Sequence, residues 1–181
     1  MRYTGNRGVT VAVADASALI ALSKMRRLRL LKEVFGSVVM GPIVKAETLD
    51  QGKAIAAPGV EQIEAALQGE WLRVVRPTRK ELQLMSNILK RSRLDPGEAE
   101  ALVLAESRKL VLIVDDKEGR AVAASLGVAH LGTAGVLLEA FLRGFLSFEE
   151  LEEAVGALSS VLWLSPRVVT EILRRAREGR T

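Results

Sequence analysis

Apolar positions along this chain fall into short unbroken runs, separated by longer stretches in which they recur every three or four residues. Val9–Ala14 and Leu110–Val114 are nearly continuous apolar runs of strand length, the pattern of a strand buried on both faces. Ser37–Met40, Trp71–Val75 and Val128–His130 read as shorter strands. Helical periodicity begins at Ser17. It returns from Pro42 to about Leu49, where the proline suits a first turn, and again at Glu61–Leu67 and Lys80–Leu89. Asp95 is placed to cap a helix that opens at Pro96–Gly97 and runs to about Arg108. Further helical patterns cover Lys117–Ser125, Gly135–Arg143, Phe148–Leu158 and Pro166–Arg177. Gln51–Gly59, with Gly and Pro and no period, reads as a loop. Strands alternating with helices predict an α/β fold, a parallel sheet wrapped on both faces. With no repeat or low-complexity tract, the expectation is one domain over residues 1–181, with a core at about 9–145 and C-terminal helices at about 147–178.

Composition narrows the class. Hydrophobic residues make up 49% and charged residues 27%, a globular rather than disordered balance. The apolar runs are far too short to cross a bilayer, and no basic-then-apolar leader opens the chain, so neither a membrane partner nor export is expected. The absence of cysteine excludes disulfides, thiolate zinc sites and a cysteine nucleophile, and the expected location is cytoplasmic. The net charge of +4 and pI near 9.7 favour polyanionic partners. Basic clusters at Arg26–Arg27–Arg29, Arg73–Arg76–Arg79–Lys80, Lys90–Arg91–Arg93 and Arg174–Arg175–Arg177 either grip phosphates or are solvated helix faces. No phosphate-loop lysine, dinucleotide fingerprint or Gly-x-Ser-x-Gly elbow is present.

Seventeen of the acidic residues are Glu and only five are Asp, at 15, 50, 95, 115 and 116. Asp is a poor helix former, kept for caps, turns and ligation. Asp15 follows the first buried strand and Asp115–Asp116 follow the central one, so two strands deliver short carboxylates to one sheet edge. Each could simply cap the next helix, but only one of an adjacent pair can do so. Gathered carboxylates raise one another's pKa unless a cation lies between them, and oxygen ligands with one His and no Cys point to Mg²⁺ or Mn²⁺.

Five segments taken together resemble the PIN-domain family. They are Val13-Ala-Asp-Ala-Ser-Ala-Leu-Ile20, Val39-Met-Gly-Pro-Ile-Val-Lys-Ala-Glu47, Gly97-Glu-Ala-Glu-Ala-Leu-Val-Leu-Ala105, Val114-Asp-Asp-Lys-Glu-Gly-Arg120 and Gly132-Thr-Ala-Gly-Val-Leu137. The likeness is to the archaeal and bacterial branch related to VapC toxins. It implies a three-layer α/β/α fold with four or five parallel strands, and a metal-dependent endoribonuclease, as the toxin of a toxin–antitoxin pair or otherwise. Carried over by position, Asp15, Glu47, Glu98 and Asp116 would be the catalytic acids and hold Mg²⁺ or Mn²⁺. Ser17 and Thr133 would place hydroxyls nearby. Asp115 and Glu100 are ambiguous, Glu100 being either a second inward acid or a solvated helix residue, since it lies two residues from Glu98. The implied partners are RNA, an antitoxin protein and a second copy of the chain, the last through apolar residues of the two C-terminal helices. The alternative is a nucleic-acid-binding module on the same fold with little or no catalysis. A phosphatase of the type with two Asp two residues apart is disfavoured, because Ser17 stands in the second position. His130, at a strand end, is a weak general-base candidate. Gly132–Gly135 either hold a phosphate or form a structural turn. Trp71, Trp163 and the few phenylalanines are too sparse for a base-stacking platform and are expected in the core.

Overall fold

The computed structural model describes residues 10–179. Val9, expected to begin the first strand, lies outside them. Five strands form one all-parallel sheet: β1 Val11–Ala14, β2 Ser37–Met40, β3 Leu72–Val74, β4 Val111–Ile113 and β5 His130–Leu131, in the order β3-β2-β1-β4-β5. Central β1 pairs Val13 with Val39 of β2 and with Leu112 of β4. Ala12, Val13 and Ala14 are wholly buried, because helices cover both faces.

The period of two sorts the strand residues into two cores. Ala12, Ala14, Val38, Met40, Leu72 and Ile113 join one, while Val13, Val39, Leu112 and Val114 join the other. On the first face lie α1 (Ala16–Lys24), α2 (Leu30–Phe35), α5 (Val60–Gln68), α9 (Thr133–Leu142), α10 (Phe148–Val161) and α11 (Pro166–Glu178). The opposite face carries α6 (Arg79–Leu89), α7 (Pro96–Arg108) and α8 (Lys117–Ser125). The expected three-layer α/β/α architecture is therefore present.

Several boundaries differ from the sequence expectation for physical reasons. The helix beginning at Ser17 breaks after Lys24, where Arg26 takes a positive φ of 56°, and α2 restarts the run. Gln51–Ala54, expected in a loop, is α4, the end of one helical run comprising α3 (Pro42–Lys45), a π-helical segment Ala46–Asp50 and α4. Gly52 persists there because Val60 packs against it, leaving no room for a Cβ, so tertiary contact overrides the glycine signal. The chain reverses at 55–59, and Gly59 enters α5 at φ 93° against the backbone of Ser23. The last strand starts two residues late, because the Val128 N–H is spent on the Ala123 carbonyl at the end of α8.

The C-terminal helices pack at home. Leu151, Val155, Leu158 and Ile172, expected in part to form a dimer face, are buried against the first core. Phe141 of α9 meets Phe148 of α10 edge to face at 6.0 Å, and the Arg177 guanidinium of α11 lies 5.5 Å over Phe148. Arg174 pairs with Glu171 and Glu178, so it serves its own helix rather than a phosphate. Among the described residues no helix is long and apolar enough to cross a membrane.

On the opposite face, Glu81 ties α6 to α7. It accepts two hydrogen bonds from Arg108 and one from the Thr78 N–H that begins α6, so its carboxyl is held down at about 2. A carboxyl whose folded pKa lies below its unfolded value of 4.5 stabilises the fold above pH 4.5. That contribution is lost as pH falls toward 2 and amounts to at most about 3 kcal/mol. Urea unfolding at stepped pH should show this loss, and Glu81→Gln should remove it. An unchanged acid limb in the variant would refute the role given to the pair.

Candidate active site

In a parallel sheet with helical crossovers, the carboxyl ends of strands face the amino ends of the following helices. Each helix start presents N–H groups with no intrahelical acceptor, and acids in this chain fill that need. Asp15 caps α1, accepting from the Ala18 N–H at 3.0 Å and from the Ser17 hydroxyl at 2.9 and 3.1 Å. Asp116 caps α8 through the Gly119 N–H at 2.9 Å. Asp115 reaches across to the start of α9, where the N–H of Thr133 donates at 2.8 Å and the Thr133 hydroxyl binds its second oxygen. Glu98 closes a reciprocal cap with Asp95 at the start of α7.

Asp15, Asp115, Glu98 and Asp116 come together electrostatically. Burial pushes Asp15 up to about 7; the Ala18 N–H opposes this, while the negative charges of Asp115 and Glu98 add to it. Burial raises Glu98 too, and Asp95, Asp116 and Glu118 repel its charge. Asp115 is raised by burial and partly restored by Thr133 and Arg120. Beside them opens a cavity of about 690 Å³ lined by Ser17, Glu98, Asp115, Asp116, Lys117 and Arg120, with residues 162–165 forming part of another wall.

Two expected site acids lie elsewhere. Glu47, on the π-helical segment, lines a separate hollow with Ile20, Lys24 and Ile55. Its carboxylate packs on Gly97, where a Cβ would lie 2.6 Å from it. Burial raises its pKa, helped by Asp95 and Glu100. Glu100 is not a solvated helix residue. It is 2% exposed, and its carboxylate accepts from the Ile43 and Val44 N–H groups at 2.9 and 3.3 Å, receiving the start of α3. Glu98 and Glu100 thus point to different places, as their spacing requires.

Other candidates also resolve. His130 turns its Nδ1 to the Val128 carbonyl at 2.9 Å and does not line the acidic cavity. At Gly132–Gly135, the Thr133 N–H offered for a phosphate is taken by Asp115. Trp71 packs on the first core, but Trp163 is 87% exposed, contrary to expectation. Lys117 and Arg120, which sequence reasoning did not select, stand in the first turn of α8 beside Asp116. Their signal was the i, i+3 spacing directly after the acidic pair.

Whether these residues suit a divalent ion turns on donor chemistry. The donors are all hard oxygens, and burial and mutual repulsion disfavour their charged forms, a cost that a cation relieves. They fit in kind. As placed, however, the acids are drawn onto helix starts, and among the described residues no group of three is spaced to hold an ion.

Fold and site together define an α/β protein with an acidic cavity at the carboxyl edge of its central strands. The chain belongs to the PIN-domain family: the family model DUF3368, described as a PIN domain, matches residues 11–178. No curated protein matches it. PIN domains are generally nucleases, and such nucleases generally use divalent metal ions.

The buried charge of Asp15 gives a test that needs no substrate. Its folded pKa near 7 exceeds the ordinary 3.8, so proton binding stabilises the fold fully below pH 3.8, and this is lost as pH rises through 7. Asp15→Asn keeps the cap and removes the charge. In chelator at pH 8 the variant should be more stable by on the order of 2–4 kcal/mol, with the gain fading toward pH 4. A pH-independent difference in melting temperature would contradict the assigned cause.

Proposed function

We propose that the chain is a Mg²⁺- or Mn²⁺-dependent endoribonuclease that hydrolyses RNA phosphodiester bonds in the acidic cavity. The observation carrying this reading is the gathering of Asp15, Asp115, Glu98 and Asp116 from three separate segments beside two cationic side chains. In this reading Asp15 and Asp115 hold the ion, with Glu98 and Asp116 contributing the oxygens not used in capping. When bound, the ion supplies Lewis acidity and lowers the pKa of a water. Ser17 and Thr133 fix the orientations of Asp15 and Asp115. Lys117 and Arg120 draw the phosphodiester toward a site whose acids would otherwise repel it. Glu47 has its place beyond Gly97, one step from the cavity, where it buttresses the start of α7.

Single-turnover cleavage of RNA at saturating Mn²⁺ tests this. Asp15→Asn, Asp115→Asn and Glu98→Gln should each lose at least about 10²–10³-fold in rate, as is typical when charge stabilisation is removed. Glu100→Gln should stay within about threefold, because an amide oxygen still accepts from Ile43 and Val44. A dead Glu100→Gln with an active Glu98→Gln would overturn the assignment. Retained RNA binding with no metal-stimulated cleavage by the wild type would make the chain a binding module instead.

A further inference from the structure

The acidic cavity has a wall that the hydrolytic reading leaves unused. Helix α10 ends at Leu162, whose φ of −120° and ψ of 141° put the chain into extended form before Ser165 caps α11. Successive side chains of an extended segment point to opposite sides. Leu162 and Leu164 pack against the first core, so Trp163 between them is turned outward, and it is 87% exposed. It stands on the rim of the cavity that also holds Glu98, Asp115, Asp116, Lys117 and Arg120. Val168, 39% exposed, continues the same apolar wall. The exposed indole offers a broad flat face, and burying it would contribute substantial contact area.

The occupant must offer a flat apolar face to Trp163 and negative charge to Lys117 and Arg120, within one cavity. An unpaired nucleotide has both: every base has a π-face, and its phosphate is anionic. A base inside a duplex is already stacked and cannot present that face. We infer that Trp163 is a stacking platform for one unpaired base of the strand, next to the scissile phosphate. The inference rests on the nuclease reading of the cavity, and its test separates the two.

The test pairs kinetics with binding in the full chain. With unstructured oligoadenylate and Mn²⁺, Trp163→Ala should raise KM about tenfold or more and leave kcat within about twofold, while Trp163→Phe retains most of the affinity. In the Asp15→Asn background, the same strand should quench the tryptophan fluorescence that Trp163→Phe removes, and an abasic strand of equal length should not. Thermal melts check that the exposed substitution leaves the fold intact. An unchanged KM in Trp163→Ala, or equal quenching by the abasic strand, overturns the inference. So does the result expected if the apolar wall receives a peptide, namely indifference of strand binding to Trp163. A wild type that cleaves no strand yet shows base-dependent quenching fails the hydrolytic reading and supports the stacking site. A wild type that cleaves normally with Trp163→Ala unaffected does the reverse.

Discussion

Unsatisfied N–H groups at helix starts are the constraint on which this molecule's chemistry depends. An all-parallel sheet with helical crossovers brings several helix amino ends to one edge, each with backbone donors and a partial positive charge. Asp15 and Asp116 cap their own helices, Asp95 and Glu98 cap α7 reciprocally, Glu100 receives the start of α3, and Asp115 answers the start of α9 from the neighbouring strand. The same demand that completes the fold therefore concentrates negative charge at the carboxyl edge of the central strands. The acidic cavity follows from the topology rather than being added to it.

The two roles pull in opposite directions. A carboxylate capping a helix in solvent ionises at little cost. Asp15 is 2% exposed with two acidic neighbours, so its charge is disfavoured even though its hydrogen bonds favour it. By contrast, Glu81 shares a salt bridge with Arg108 and sits well below the ordinary carboxylate range. Both are buried acids at helix starts, and the presence or absence of a paired cation separates them. Glu81 is a fastening between helices; Asp15 is a buried acid whose neighbours disfavour its charge.

Much of this was legible in the sequence. The buried strands are marked by their unbroken apolar runs, and the five-Asp inventory singles out Asp15 and Asp115–Asp116 because aspartate has so few other uses after a strand. The less legible features depend on three-dimensional neighbours. The helical run through Gln51–Ala54 is fixed by Val60 packing on Gly52, a contact that the local Gly-rich signal cannot carry. The destination of Glu100 depends on α3, 57 residues away, whose N–H groups it receives. Asp115 and Asp116 are equivalent as letters, but the first turns toward Thr133 and the second toward its own helix.

Trp163 shows the same limit from the other side. In the sequence it lies within Val-Leu-Trp-Leu, a short apolar run that by itself argues for burial. The run spans the end of one helix and the start of another, and the change from helical to extended backbone replaces a period of 3.6 with a period of two. Leu162 and Leu164 then take the core side together, and the largest side chain of the segment is left facing the acidic cavity. The C-terminal helices thereby do more than cover the sheet. By packing α11 against α9, and against α10 through the Phe148–Arg177 contact, they hold an apolar wall beside a charged one. A cavity with one wall of carboxylates and cations and another of indole and aliphatic carbon suits a ligand that is itself charged along one side and flat and apolar along the other.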